Sequence, residues 1–184
     1  IKNHDHYSLK YLKNFISKTR ANVIRVKHRS VYPEDDKPFW LWNRTVKPVP
    51  DYAAYGLSNY PIFERQYQKV LHRTVGYIQI SMGNHKVVMF PKKSTESDIY
   101  IYHFNIRGRK QFLAKMINGG KQLEQNPNKN RGRHWRYFYQ LYKEQRLEEE
   151  YDKVIGLNSY DRLVKDGYIQ TDNTLVNFFK EQNS

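Results

Sequence analysis

Apolar residues change their spacing along this chain, and the changes mark where helices give way to strands. Leu9, Leu12, Phe15 and Ile16 follow Ser8 at helical spacing and predict about three turns of helix ending near Thr19. Residues 21–27 are short and rich in β-branched side chains, the composition of a buried strand. From Pro33 to Pro61 five prolines and the aromatic residues Phe39, Trp40 and Trp42 occur without a period, which predicts a long irregular excursion of functional or partner-facing character. Residues 68–72, 77–80 and 87–90 read as strands. The last two flank Met82-Gly83-Asn84-His85, a hairpin turn in which glycine supplies the positive φ. A polar loop over 92–98 then leads to a strand over 99–104.

The spacing becomes helical again from about Arg109, with Phe112, Leu113, Met116 and Ile117 on one face and Gly119-Gly120 as the expected stop. Residues 126–132 have loop composition. Trp135, Phe138, Tyr142, Leu147, Tyr151 and Val154 continue a helical stripe with one expected break near Gly156, and short helices are expected over 160–165 and 175–179. No internal repeat is present. The pattern predicts an α+β fold, a small mostly antiparallel sheet with flanking helices. Residues 1–184 form one domain or a fragment. Its expected parts are 1–75 (helix, strand and irregular loop), 76–104 (hairpin and strand) and 105–184 (helical), and the Ile1 start is expected to mark a piece of something longer.

Composition narrows the partners. The net charge of +14 attracts phosphate-bearing ligands, nucleic acid or the anionic face of a membrane, although basic surface also serves solubility alone. With no cysteine there is neither a disulfide framework nor a zinc-thiolate site, as suits a reducing compartment. No apolar run in this sequence is long enough for a bilayer and no signal peptide is expected, so the expected location is cytoplasmic, or peripheral at the inner membrane face.

Candidate chemistry gathers around the histidines and arginines. His85 at the hairpin tip could ligate a divalent metal or meet a phosphate, with a plain turn histidine as the alternative. His103 ends a strand, and Arg107 and Arg109 follow just before a helix, where guanidinium groups and backbone N–H groups make an anion site. His134 and Arg136 flank a helix start, whereas Trp135 reads as core. Glu34-Asp35-Asp36 could help bind a cation but reads first as a solvated turn, and Glu148-Glu149-Glu150 reads as an exposed helix face. No Gly-x-Ser-x-Gly, P-loop, dinucleotide fingerprint or His-Glu-x-x-His occurs. Basic charge with 16 tyrosines also suits a non-catalytic nucleic-acid-binding module, the alternative reading, but the cations are dispersed and no RNA-module signature is present.

Several short pieces occur in a telling order: Gly83-Asn84-His85, His103-Phe104, the helix start from Arg107 to Phe112, Ile117-Asn118-Gly119-Gly120, Asn126-Pro127, His134-Trp135 and Leu147-Glu148-Glu149-Glu150-Tyr151. Together they resemble the C-terminal part of bacterial family 2 glycosyltransferases of the GT-A type, with residues 1–75 fitting loosely as the acceptor side. The resemblance implies transfer of a sugar from a nucleotide-sugar to an acceptor hydroxyl, the acceptor being a carbohydrate or lipid-linked. It also implies a divalent metal (Mn or Mg) at the diphosphate. On that analogy His103, Arg107 and Arg109 bind the donor diphosphate, His85 approaches the metal, and Trp40 and Trp42 bind the acceptor. The family's nucleotide-binding half with its Asp-x-Asp motif is not among these residues, so the resemblance implies that it is supplied by a missing N-terminal half or a partner chain, without which the chain is inactive.

Overall fold

A computed structural model describes residues 9–126, 128 and 132–182; Ser8, and positions 127 and 129–131 of the expected loop, lie outside them. In chain order the elements are α1 (Leu9–Lys18), β1 (Val23–Val31), β2 (Arg44–Val46), β3 (Lys69–His72), β4 (Tyr77–Ile80), β5 (Val87–Met89), β6 (Ser94–His103), α2 (Arg109–Glu124), α3 (Arg133–Lys143), α4 (Leu147–Ile155), α5 (Tyr160–Lys165), β7 (Ile169–Thr171) and α6 (Thr174–Gln182). The class is α+β with antiparallel strand pairing. The chain forms two compact units, Ile1–Arg29 with Gln66–His103 and Ser30–Arg65 with Phe104–Ser184. Each unit is therefore assembled from two separate stretches of chain. No helix among the described residues is long and apolar enough to cross a membrane.

In the first unit β1 pairs antiparallel with β3, Val23 lying opposite His72 and Val26 opposite Lys69, and β6 also pairs with β1. A small core of Val23, Val70, Val87 and Met89, with Ile80 against it, joins these strands to the hairpin. The hairpin is β4 against β5, and its turn carries positive φ at both Gly83 (76°) and Asn84 (57°), which is why a Gly-Asn pair sits there. Residues 94–98 are strand, not loop. Their polar side chains find partners on β1: Lys27 Nζ lies 2.9 Å from Asp98, and Ser97 Oγ donates to Arg25 O at 2.8 Å. Polarity alone misplaced the start of β6, because sheet pairing uses backbone groups and leaves polar side chains free to bridge strands.

In the second unit the end of β1 pairs with β2 and β2 with β7, both antiparallel. The core gathers Phe63, Phe112, Phe138, Tyr151, Val154 and Leu163, with Phe112 at 5.2 Å from the Phe138 ring and 5.4 Å from that of Tyr151. Contacts of this kind add about 0.5–1.5 kcal/mol each beyond area burial.

Gly119-Gly120 does not end α2, which runs on to Glu124. A Cβ on Gly119 would lie 1.6 Å from the Trp135 ring, and one on Gly120 would lie 2.2 Å from Tyr139 Cβ. The pair is a contact surface on which α3 rests, and close helix approach outweighs the poor helix propensity of glycine. The long apolar stripe is broken earlier than its spacing suggested, at residues 144–146, where Gln145 takes a φ of 59° and Arg146 N–H closes the turn on Leu141 O at 2.8 Å. Gly156, also at positive φ, then ends α4. Glu150 is buried, not on the exposed face: it accepts from Tyr137 Oη at 2.7 Å and faces Lys153 at 3.7 Å. β2 and β7 are three residues each, too short to leave a period in the sequence.

Candidate functional site

The irregular excursion of the second unit builds two neighbouring clefts. Directly after β1, Tyr32 and Glu34 are buried while Asp35 is exposed. Glu34 thus departs from the expected solvated turn. Its Oε2 accepts from Asn43 N–H at 2.8 Å, and its Oε1 meets Lys37 Nζ at 2.8 Å and Arg44 Nε at 3.6 Å. Two cations and a backbone donor compensate a buried carboxylate and hold the loop closed.

Asp35 links that loop to the helices. Its Oδ2 accepts from Arg109 N–H at 3.1 Å, at the first residue of α2, and from Tyr151 Oη at 2.9 Å. A carboxylate at a helix start is favoured by the unpaired N–H groups there. Arg109 is committed in turn: its guanidinium pairs with Asp152, donates to Glu148 O at 2.9 Å and lies 4.4 Å from the centre of the Tyr151 ring. The Tyr151 phenol is pushed far above its usual range, first by burial and then by its hydrogen bond to Asp35, with the Arg109 charge opposing. Tyr151 therefore acts as a donor.

On one side of Asp35 and Arg109 lies a cleft of about 480 Å³ lined also by Tyr32, Glu34, Arg44 and Tyr160. Arg44 sits 5.0 Å from the Tyr160 ring centre, and the hydroxyls of Tyr32 and Tyr160 are buried without a hydrogen-bond partner. On the other side lies a cleft of about 410 Å³ bounded by Lys37, Phe39, Trp42, Arg107, Gly108 and Lys110 together with Asp35 and Arg109. Trp42 is buried, its Nε1 donating to Lys37 O at 2.8 Å and its ring 5.8 Å from Phe104. Trp40 is 46% exposed, edge-on to Phe39 at 5.2 Å, and does not line either cleft. Arg107 is exposed, and its backbone N–H donates to Gln111 Oε1 at 3.3 Å. This second cleft joins aromatic surface to several cations, which suits a ligand with an apolar face and an anionic group.

His85 and His103 belong to the first unit. His85 lies with Nδ1 3.0 Å from Gln68 O and Nε2 3.4 Å from Lys69 Nζ, and Lys69 itself donates to Gly83 O at 2.7 Å. A metal at Nε2 would have to displace an ammonium group, and among the described residues no group of three or more His, Asp or Glu is placed to hold a metal ion. His103 is exposed at the end of β6, its ring 4.8 Å from that of His28. His28 is a residue that sequence reading missed. Both of its ring nitrogens are buried without a partner, and its pKa is lowered to about 4, by burial first and then by the neighbouring His103, Lys69 and His85. The only hint was a histidine inside a β-branched run. Arg44 and Tyr151 were missed as site residues, and Asp35 was read only as part of an acidic turn, because the three meet only in three dimensions.

The resemblance pieces in α2 and α3 meet in space: Gly119 touches Trp135, and the piece in α4 supplies Glu148 and Tyr151 to Arg109. Compared with family models, curated proteins and solved structures, the chain matches none.

Proposed function

We propose that this chain is the acceptor-side part of a glycosyltransferase that moves a sugar from a nucleotide-sugar to an acceptor hydroxyl. The observation that carries the reading is the 410 Å³ cleft, where Arg107 and Arg109 share a wall with Trp42 and with the Asp35 carboxylate. Transfer needs those three kinds of group within one substrate length of each other. Arg107 and Lys110 offset the negative charge that builds on the departing diphosphate. Phe39, which is exposed, gives the sugar an apolar face, and the edge of the buried Trp42 lines the same cleft. Asp35, fixed through Oδ2 by Arg109 and Tyr151, offers Oδ1 to take the proton of the attacking hydroxyl. Arg109, already paired with Asp152, positions Asp35 and Tyr151. The nucleotide and its divalent metal belong, in this reading, to residues outside those described, and His85 and His103 join the donor side through the resemblance alone.

The test is turnover by the parent protein with a panel of uridine, guanosine and thymidine diphosphate sugars, read as nucleoside diphosphate release with and without saccharide or lipid-linked acceptors. Arg107→Ala should lower turnover roughly 100-fold at unchanged melting temperature, whereas Arg109→Ala should also lower the melting temperature. Absence of both turnover and nucleotide-dependent stabilisation across the panel would count decisively against the reading.

A further inference from the structure

The β4–β5 hairpin of the first unit leaves its outer face bare. Val87 and Met89 point into the small core, so the alternation of β5 sends Val88 and Phe90 outward, 54% and 80% exposed. Opposite them the ladder is irregular: Tyr77 pairs with Met89 and Gln79 with Val88, leaving Ile78 as the extra residue of a bulge. A bulge re-aims its side chain, and Ile78 is 64% exposed. Phe90 N–H donates to Gly76 O at 2.9 Å, bringing Val75, 82% exposed, to the same end. Gly76 permits this approach, since a Cβ there would lie 2.2 Å from Phe90 O. Lys93 O accepts from Asn22 and Val23 N–H at 3.0 Å, which anchors the base of the hairpin on β1. Four large aliphatic and aromatic side chains are thus held out on a braced support. Single exposed apolar residues are ordinary, but four on one hairpin and its flank make a candidate contact surface.

The unit that carries this hairpin is strongly basic. Lys86, Lys92 and Lys93 bracket β5, and over residues 9–29 and 66–103 there are twelve lysines and arginines against the two acids Glu96 and Asp98. Lys92 reaches back to Val87 O at 3.0 Å, keeping its ammonium beside the strand. Exposed apolar side chains on a strand flanked by exposed lysines are what an anionic bilayer surface accepts, since the side chains enter the interface while lysines meet headgroups. A nucleic acid would call for stacking rings, and only Phe90 of the outward set is aromatic apart from Tyr77.

We propose that the β4–β5 hairpin docks this protein on an anionic lipid bilayer, an inference independent of the transferase reading. The experiment is flotation of the full chain with vesicles of phosphatidylcholine alone and of phosphatidylcholine with phosphatidylglycerol, at low and high salt. The expected result is binding to the anionic vesicles about tenfold or more above neutral ones, and loss of about tenfold or more in the triple variant Ile78→Ser, Val88→Ser, Phe90→Ser. These side chains are solvent-exposed, so the melting temperature of the variant should match the wild type and folding is controlled within the same sample. No flotation with anionic vesicles, or equal flotation of the folded triple variant, overturns the proposal. So does complete reversal by salt with no effect of the triple variant, which would describe charge attraction without insertion.

Discussion

Gly119→Ala is the substitution whose outcome most sharply separates local propensity from packing. In an open helix the change stabilises by about 1 kcal/mol. Here the new methyl would lie 1.6 Å from Cε3 and Cζ3 of Trp135, well inside contact distance. Either Trp135 leaves its half-buried seat or α2 and α3 separate. Overpacking of this kind costs about 1–3 kcal/mol, and displacing a tryptophan about 3–5 kcal/mol if its packing is wholly lost. With so close an overlap the upper half of the overpacking range applies, and setting the propensity gain against these costs leaves a net destabilisation of about 1–2 kcal/mol if the helices separate and about 2–4 kcal/mol if Trp135 is displaced. Urea unfolding monitored by circular dichroism reads it directly as a lower midpoint at unchanged slope. A double-mutant cycle with Trp135→Ala supplies the control, because removing the ring removes the clash and the two effects should then fall short of additive by about 1 kcal/mol or more. Gly119→Ala as stable as wild type, or additive effects in the cycle, would refute the packing argument.

Tyr32→Phe and Tyr151→Phe should differ in sign. The Tyr32 hydroxyl is buried without a partner, so its removal should leave stability unchanged or raise it by up to about 1 kcal/mol, whereas Tyr151→Phe breaks the bond to Asp35 and should cost about 1.5–3 kcal/mol, both read by urea unfolding. Acid stability should carry the signature of His28. Its folded pKa of about 4 lies below the unfolded 6.5, so between those values the unfolded chain binds the extra proton, and stability is full above pH 6.5 and falls as pH drops towards 4. Partial solvent screening limits the loss to about 1–2 kcal/mol. His134 and Glu64 are exposed, and partial desolvation lowers the pKa of His134, which acts in the same direction, and raises that of Glu64, which opposes both. His28→Phe should flatten the slope of unfolding free energy between pH 6.5 and 4; an unchanged slope would show that His28 does not set it.

The strands and helices with strong periods were legible: α1, β3, β4, β5 and α5 lie close to where their apolar spacing put them. What escaped was tertiary in origin. Gly119-Gly120 reads locally as a helix stop and becomes a helix interior only because Trp135 and Tyr139 occupy the space a side chain would need. Glu150 reads as solvent-facing until Tyr137 donates to it, and Glu34 until Asn43, Lys37 and Arg44 surround it. The candidate site shows the same division. Arg107, Arg109 and Trp42 stand out by type and position, but Asp35 acquires its place only when Tyr151, far along the chain, closes on it. Ion pairs and contacts of that separation leave no periodic trace in a single sequence.

The interleaving of the two units has a consequence for how the chain acquires its structure. The first unit takes residues 1–29 and then waits through 30–65 before 66–103 complete it, while the second keeps its own first stretch unfinished until 104 and beyond arrive. Neither can be cut out as a continuous piece, and each closes around an insertion belonging to the other. Closing such loops costs entropy only logarithmically in their length, but the contacts that repay it are non-local, which slows folding more than it weakens the folded state. During synthesis the pairing of β1 with β3 and β6 must wait for the far side of that insertion. The stretch 30–65, whose β2 pairs with β7 at Ile169–Thr171, then waits longest for its partners on the nascent chain.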